Sequence, residues 1–163
     1  MISVLGLGNV LMGDDGLGPA VVNAFEAEYA VRSDVQVIDL GTPGLDLLPW
    51  LADVDRVILV DTVKSDLPPG TLRVYAKDDL LRHVPMARVG PHDPGVKEAL
   101  LALEFAGRAP REVVVIGVVP GSTGLALELT PAVAAAVPGA VAAIRDTLDR
   151  FGAPAVPRRE VIV

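Results

Sequence analysis

The chain has 163 residues, 51% of them hydrophobic but only 4% aromatic, so Val, Leu, Ile and Ala must fill the core that this length can bury. Its net charge of −7 argues against nucleic acid, whose phosphates are held by Lys and Arg. The absence of cysteine excludes thiol catalysis, disulfides and structural zinc of the cysteine type.

This hydrophobicity does not amount to a membrane span. No uninterrupted apolar run reaches the ~20 residues that cross a bilayer. The best candidate, Val113–Val119, is strand-sized and contains Gly117. Met1-Ile2-Ser3-Val4 carries no basic segment and runs straight into a strand, so no signal peptide is expected. The expectation is a soluble, cytoplasmic protein, a monomer favoured over an oligomer, with one domain over residues 1–163 and a loosely attached tail from about 152.

In chain order, Ile2–Leu7 predicts a buried first strand and Asn9 to Gly16 a loop. A helix is predicted over Pro19–Tyr29, where Pro19 suits the first turn. Val35–Leu40 is the second strand, closed by Gly41-Thr42-Pro43-Gly44. Leu45, Leu48 and Leu51 have helical spacing, but Pro49 keeps that helix short or bent. Arg56–Asp61 predicts the third strand, apolar until its terminal Asp61, and Thr71–Tyr75 the fourth. A loop-rich stretch from Asp78 to Gly95 holds both histidines, His83 and His92. Asp93-Pro94 reads as the cap and first-turn proline of a helix to Phe105 that Gly107 ends. Val113–Val119 is another buried strand, and Thr130-Pro131 caps a last helix to about Phe151, bent at Pro138.

Strands that are apolar throughout, alternating with helices, predict an α/β fold: a doubly wound, mostly parallel sheet covered by helices on both faces. In such a sheet the ligand crevice lies beyond the carboxyl ends of the strands, where the strand order reverses. An order beginning 2-1-3 puts the reversal between strands one and three. Asp14 and Asp15 then arrive from the loop after strand one, Asp61 from the end of strand three, and His92 from the loop before a helix. Asp15, Asp61 and His92 make a mixed oxygen and nitrogen set of three, a number typical of catalytic metal sites. It suits zinc, nickel, manganese or cobalt. Plainer roles stay open for each: Asp15 as a helix cap, Asp61 as an acceptor for backbone amides, His92 as a loop histidine. Asp14 reads as a solvated loop residue, with general base as the other option, and His83 as structural.

Two competing motifs fail. Gly6-Leu7-Gly8, with Asp39 closing strand two, imitates a dinucleotide fingerprint. However, Leu11 stands at the third glycine position, and Asp14 and Asp15 would repel a pyrophosphate. Gly121-Ser122-Thr123-Gly124 lacks the spacing of a nucleophile elbow.

The run Leu5-Gly6-Leu7-Gly8-Asn9-Val10-Leu11-Met12-Gly13-Asp14-Asp15-Gly16-Leu17-Gly18 resembles the amino-terminal signature of the nickel–iron hydrogenase maturation proteases. The likeness continues in order through Asp39-Leu40-Gly41-Thr42-Pro43-Gly44, Val60-Asp61, Pro91-His92 and Gly117-Val118-Val119-Pro120. The resemblance implies an endopeptidase that removes a carboxy-terminal extension from the hydrogenase large-subunit precursor once nickel has been inserted. It implies Asp15, Asp61 and His92 as metal ligands, holding the precursor's nickel or another divalent metal such as zinc. Asp39, with Gly41 and Thr42 in the same loop, becomes a candidate for substrate binding, Asp39 by charge-assisted hydrogen bonding to a basic or histidine residue before the cleaved bond. Strand-end capping is the alternative for Asp39. The chain departs from the family pattern at Leu40, where glycine is frequent, and at Asp93, where glutamine is. The competing functions are a nickel-binding chaperone that docks on the same precursor without cutting it, and a nucleotide-binding module.

Overall fold

The computed structural model describes residues 1–42, 47–82 and 95–161. Its centre is a five-stranded sheet with the spatial order β3-β1-β4-β6-β5. These strands are β1 (Ile2–Leu7), β3 (Val35–Gly41), β4 (Arg56–Thr62), β5 (Leu72–Ala76) and β6 (Glu112–Val118). The first four in that order run parallel, and β5 pairs antiparallel with β6 at one edge. The mostly parallel, doubly wound α/β prediction is borne out, including the order of the first three predicted strands.

Why the central strands are apolar at nearly every position follows from their two-residue period. Ile2, Val4, Ile58, Val60, Val114 and Ile116 point to one face, where α1 (Leu17–Glu28) and α5 (Pro131–Arg150) cover them. Leu5, Leu7, Val57, Leu59, Val113 and Val115 point to the other. That face is covered by α2 (Leu48–Leu51), α3 (Lys77–Arg82) and α4 (Val96–Ala106). Among the described residues, no helix is long and apolar enough to cross a membrane.

Several boundaries differ from expectation. The stretch after β5 begins as a helix, α3, rather than a loop: Asp78 and Asp79 lie in its first turn, where acidic groups suit the helix dipole. The Asp79 carboxylate also accepts the Ala76 N–H at 3.0 Å, and Leu80 is buried in the core. α4 is capped by Gly95, and Gly107 ends it in the left-handed conformation, φ 70°. The expected cap at Asp93-Pro94 lies outside the described residues, as do Pro43, Gly44, Leu45 and both histidines. α5 starts after Thr130 as predicted, but the Thr130 side chain does not cap it, because its hydroxyl is donated elsewhere.

The tail from Gly152 is attached, contrary to expectation. Its strand β7 (Val156–Pro157) pairs antiparallel with β2 (Tyr29–Ala30), and Ala153 is buried. Arg158 Nε donates to the Glu26 carbonyl and Arg32 Nη1 to the Gly152 carbonyl. Side chains and backbone far apart in sequence thus replace a core that a short tail cannot supply.

Candidate active site

The order β3-β1-β4 places the reversal of strand order at β1, and the loop after β1 forms the floor of that crevice. Its glycines serve close packing of the chain against itself. Gly8 has φ +139°, and a Cβ there would fall on the Asp15 carbonyl. At Gly18 a Cβ would strike the Leu7 and Val60 carbonyls, so only glycine lets the first turn of α1 rest on β1 and β4 together. The space that a pyrophosphate takes in a dinucleotide fold is next to this turn, here lined by Asp15. Calorimetry with NAD, FMN and ATP is expected to show no heat. Micromolar binding of any of them would overturn this reading of the glycines.

Residues Gly13–Gly16 form a 3-10 turn leading directly into α1. It turns the two neighbouring carboxylates to different partners. Asp15 is buried, 4% exposed, and its Oδ2 accepts the Asn9 N–H at 2.8 Å. Gly16, not Asp15, is the N-cap residue of α1. Through its bond to Asn9, Asp15 ties back the loop that precedes it.

Asp14 overturns both readings made of it. It is not solvated: its exposure is 0%. Its Oδ2 accepts the backbone N–H groups of Gly121 and Ser122 at 2.7 and 2.9 Å and the Thr130 hydroxyl at 2.8 Å. Oδ1 accepts the Thr130 N–H at 2.7 Å. Burial pushes the Asp14 carboxyl up, but these hydrogen bonds outweigh it and hold it below the usual carboxylate value. A carboxylate so committed is a poor general base near neutral pH. It is an anchor for the loop between β6 and α5.

Asp61 is the penultimate residue of β4 and is 3% exposed. Its Oδ1 accepts the Thr62 N–H at 2.8 Å, so the amide-binding role holds for one oxygen. The 3-10 turn carrying Asp15 lies against β4. Two buried carboxylates from distant parts of the sequence therefore reach the same edge of the sheet. By strand alternation Asp61 points to the face that α4 covers. α4 ends at the opposite edge, where the Asp53 N–H donates to the Arg108 carbonyl, so its first turn is directed toward the crevice edge. His92 precedes that first turn by four residues, a reach of about 14 Å, and itself lies outside the described residues.

Asp39 is exposed near the end of β3, paired with Gly6, and its Oδ1 accepts the Gly41 N–H at 3.2 Å. The strand-end capping role is thus present. The Gly41 carbonyl accepts the Gly8 N–H at 2.8 Å, which fixes this loop to the end of β1, and Thr42 is exposed beside it. Among the described residues no three His, Cys, Asp or Glu side chains converge on one point. A buried pair of carboxylates with oxygen donors matches the chemistry of a divalent cation, for which His92 would add the nitrogen. A cavity of about 440 Å³ lined by Tyr75, Lys77, Arg111 and Arg150 is at the other end of the strands and takes no part in this arrangement.

A doubly wound α/β domain of this kind binds its ligands in the crevice beyond the carboxyl ends of its strands, where these buried carboxylates lie. Comparison with known proteins narrows this. Residues 19–147 match the family model HycI, described as hydrogenase maturation protease. The chain is 33% identical over 161 residues to the hydrogenase 2 maturation protease of Escherichia coli K12, covering 98% of each. It is 32% identical over 159 residues to the hydrogenase expression/formation protein HoxM of Cupriavidus necator, covering 97% of this chain and 79% of that one. The solved structure of the hydrogenase maturating endopeptidase HybD from E. coli superimposes with a TM-score of 0.88 at 32% identity, covering 98% of this chain and 99% of that one. The hydrogenase 2 maturation peptidase of a Thaumarchaeota archaeon gives 0.66 at 34% identity, over 90% and 97%. The chain belongs to the hydrogenase maturation protease family.

Proposed function

We propose that the chain is a cytoplasmic endopeptidase that removes the carboxy-terminal extension of the nickel–iron hydrogenase large-subunit precursor after nickel insertion. What supports this reading is that two buried carboxylates, Asp15 and Asp61, are carried by neighbouring elements at the switch-point edge of the sheet in a member of this protease family. Asp15, Asp61 and His92 are the residues that would hold a divalent metal, the nickel of the precursor or a resident ion such as zinc. Such a metal, when bound, polarises a carbonyl and makes water a better nucleophile. The chain's own residues position the substrate: Asp39 receives the basic or histidine side chain before the cleaved bond, with the Gly41-Thr42 backbone beside it. The low-dielectric setting of Asp15 and Asp61 strengthens their attraction for a cation.

Incubating the protein with nickel-loaded precursor and weighing the product by mass spectrometry tests the reading. Loss of a carboxy-terminal fragment supports it. Binding without a change of mass would favour the chaperone function instead.

Asp15→Asn sharpens the metal assignment. The amide oxygen can still accept the Asn9 N–H, so the loop keeps its shape, but one negative charge is gone. Calorimetric affinity for nickel or zinc is expected to fall at least about tenfold, since a ligand that loses its negative charge attracts a divalent cation less strongly. Unchanged affinity would remove Asp15 from the ligand set.

A further inference from the structure

Large apolar side chains gathered on the surface of a protein mark a place where something binds. Val10 and Leu11 are exposed in the loop after β1, and Leu125 and Leu127 are 87% and 81% exposed in the loop before α5. The backbone joins the two loops. The Gly13 N–H donates to the Ala126 carbonyl at 2.9 Å, and the Ala126 N–H to the Leu11 carbonyl at 3.1 Å. The result is a parallel bridge between Met12 and Ala126 that brings together the two loops carrying these four exposed side chains.

The second loop is held at both ends by a buried charge. Asp14 grips Gly121 and Ser122 at its start and Thr130 at its finish, while the Asp14 N–H donates to the Ser122 carbonyl at 2.8 Å. Residues 121–130 nonetheless bury little of themselves. Ordering an exposed loop costs conformational entropy that its own contacts do not return. A surface ordered in advance loses less entropy when a partner binds, so such a loop is suited to association. Glu128 is the one charged residue in this loop, and the segment 9–12 has none, so the rim suits an apolar partner. Its continuity with the site is direct: Val10 and Leu11 lead through the same turn into Asp15.

We propose that Val10, Leu11, Leu125 and Leu127 form a docking surface for an apolar segment of the polypeptide substrate, next to the bond that is cut. This rests on the endopeptidase reading. The two fail differently in one experiment, which measures KM and kcat for processing of nickel-loaded precursor by the full-length chain.

The double variant Leu125→Ser/Leu127→Ser is expected to raise KM about tenfold or more, the size seen when interface anchors are truncated. The loss falls on KM rather than kcat, and the unfolding midpoint stays at the wild-type value because both side chains are exposed. Leu125→Met/Leu127→Met, which keeps the apolar surface, holds KM near wild type. Leu101→Ser/Phe105→Ser, an exposed apolar pair on α4, leaves KM unchanged. Wild-type KM in the serine double variant overturns the docking surface while leaving the protease standing. An equal rise in the α4 pair overturns it as well, as does a serine variant whose loss follows a lowered unfolding midpoint. A wild-type protein that neither cuts nor binds the precursor overturns the endopeptidase reading, and the docking surface with it.

Discussion

Asp61→Ala is expected to abolish processing of the precursor while the protein stays folded. The carboxylate stands at the end of β4, past the apolar residues that build the sheet, and one of its oxygens accepts the adjacent Thr62 N–H. Removing it opens a small buried space and leaves that N–H without its acceptor, which costs about 1–3 kcal/mol. The loss of activity is far larger, on the order of a hundredfold or more, as for other preorganised groups that act on developing charge. Asp61→Asn separates the two effects. Its amide oxygen can keep the Thr62 N–H bond, so the unfolding midpoint returns toward wild type while processing stays lost. A processing rate near wild type in either variant would place the chemistry elsewhere. An unfolded Asp61→Asn protein would make Asp61 a structural residue.

Asp14→Ala is expected to cost about 2–4 kcal/mol of stability by denaturant unfolding. Four hydrogen bonds to one ionised carboxylate disappear, and water reaches the released donors well enough to offset part of the loss. Asp14→Asn loses less, since an amide retains some acceptor capacity but also brings an N–H₂ into a cluster of donors. The pH dependence identifies the charge as the cause. Because the folded state lowers the Asp14 pKa, its ionised form is favoured by folding, and that stabilisation is fully present above the ordinary carboxylate range. It is lost as pH falls below about 4 and through the lower folded value. The stability gap between the native protein and Asp14→Asn therefore narrows on acidification. A gap that stays constant from pH 7 to below 4 would show that the charge of Asp14 contributes nothing.

Asp14 and Asp15 also show where the information in a sequence ends. They are identical residues side by side, and in the chain only their motif is visible. The 3-10 turn sends them to different surroundings, and the partners of Asp14 lie 107 to 116 positions away. No local pattern could distinguish an anchor from a neighbour in the crevice. A signal of sorts existed in Thr130, placed where its hydroxyl was expected to cap α5 and instead donated to Asp14. A hydroxyl can do either, and only its distance from a buried carboxylate chooses.

The sheet, in contrast, was legible because its determinants are local. β1, β4 and β6 are apolar on both faces, a composition that solvent tolerates only when helices cover the strand twice, so both the fold class and the position of the crevice followed from the residues themselves. Asp61 was conspicuous for the same reason, as the charged residue that follows the unbroken apolar run Val57 to Val60. Tertiary structure decided what depends on chain segments meeting. It docked the tail on Tyr29 and Ala30, wound the residues after β5 into α3, and tied the loop of Leu125 and Leu127 to the rim of the site. The tail and that loop are held by hydrogen bonds between residues far apart in sequence, and such contacts come into being only once the sheet has brought their backbones together.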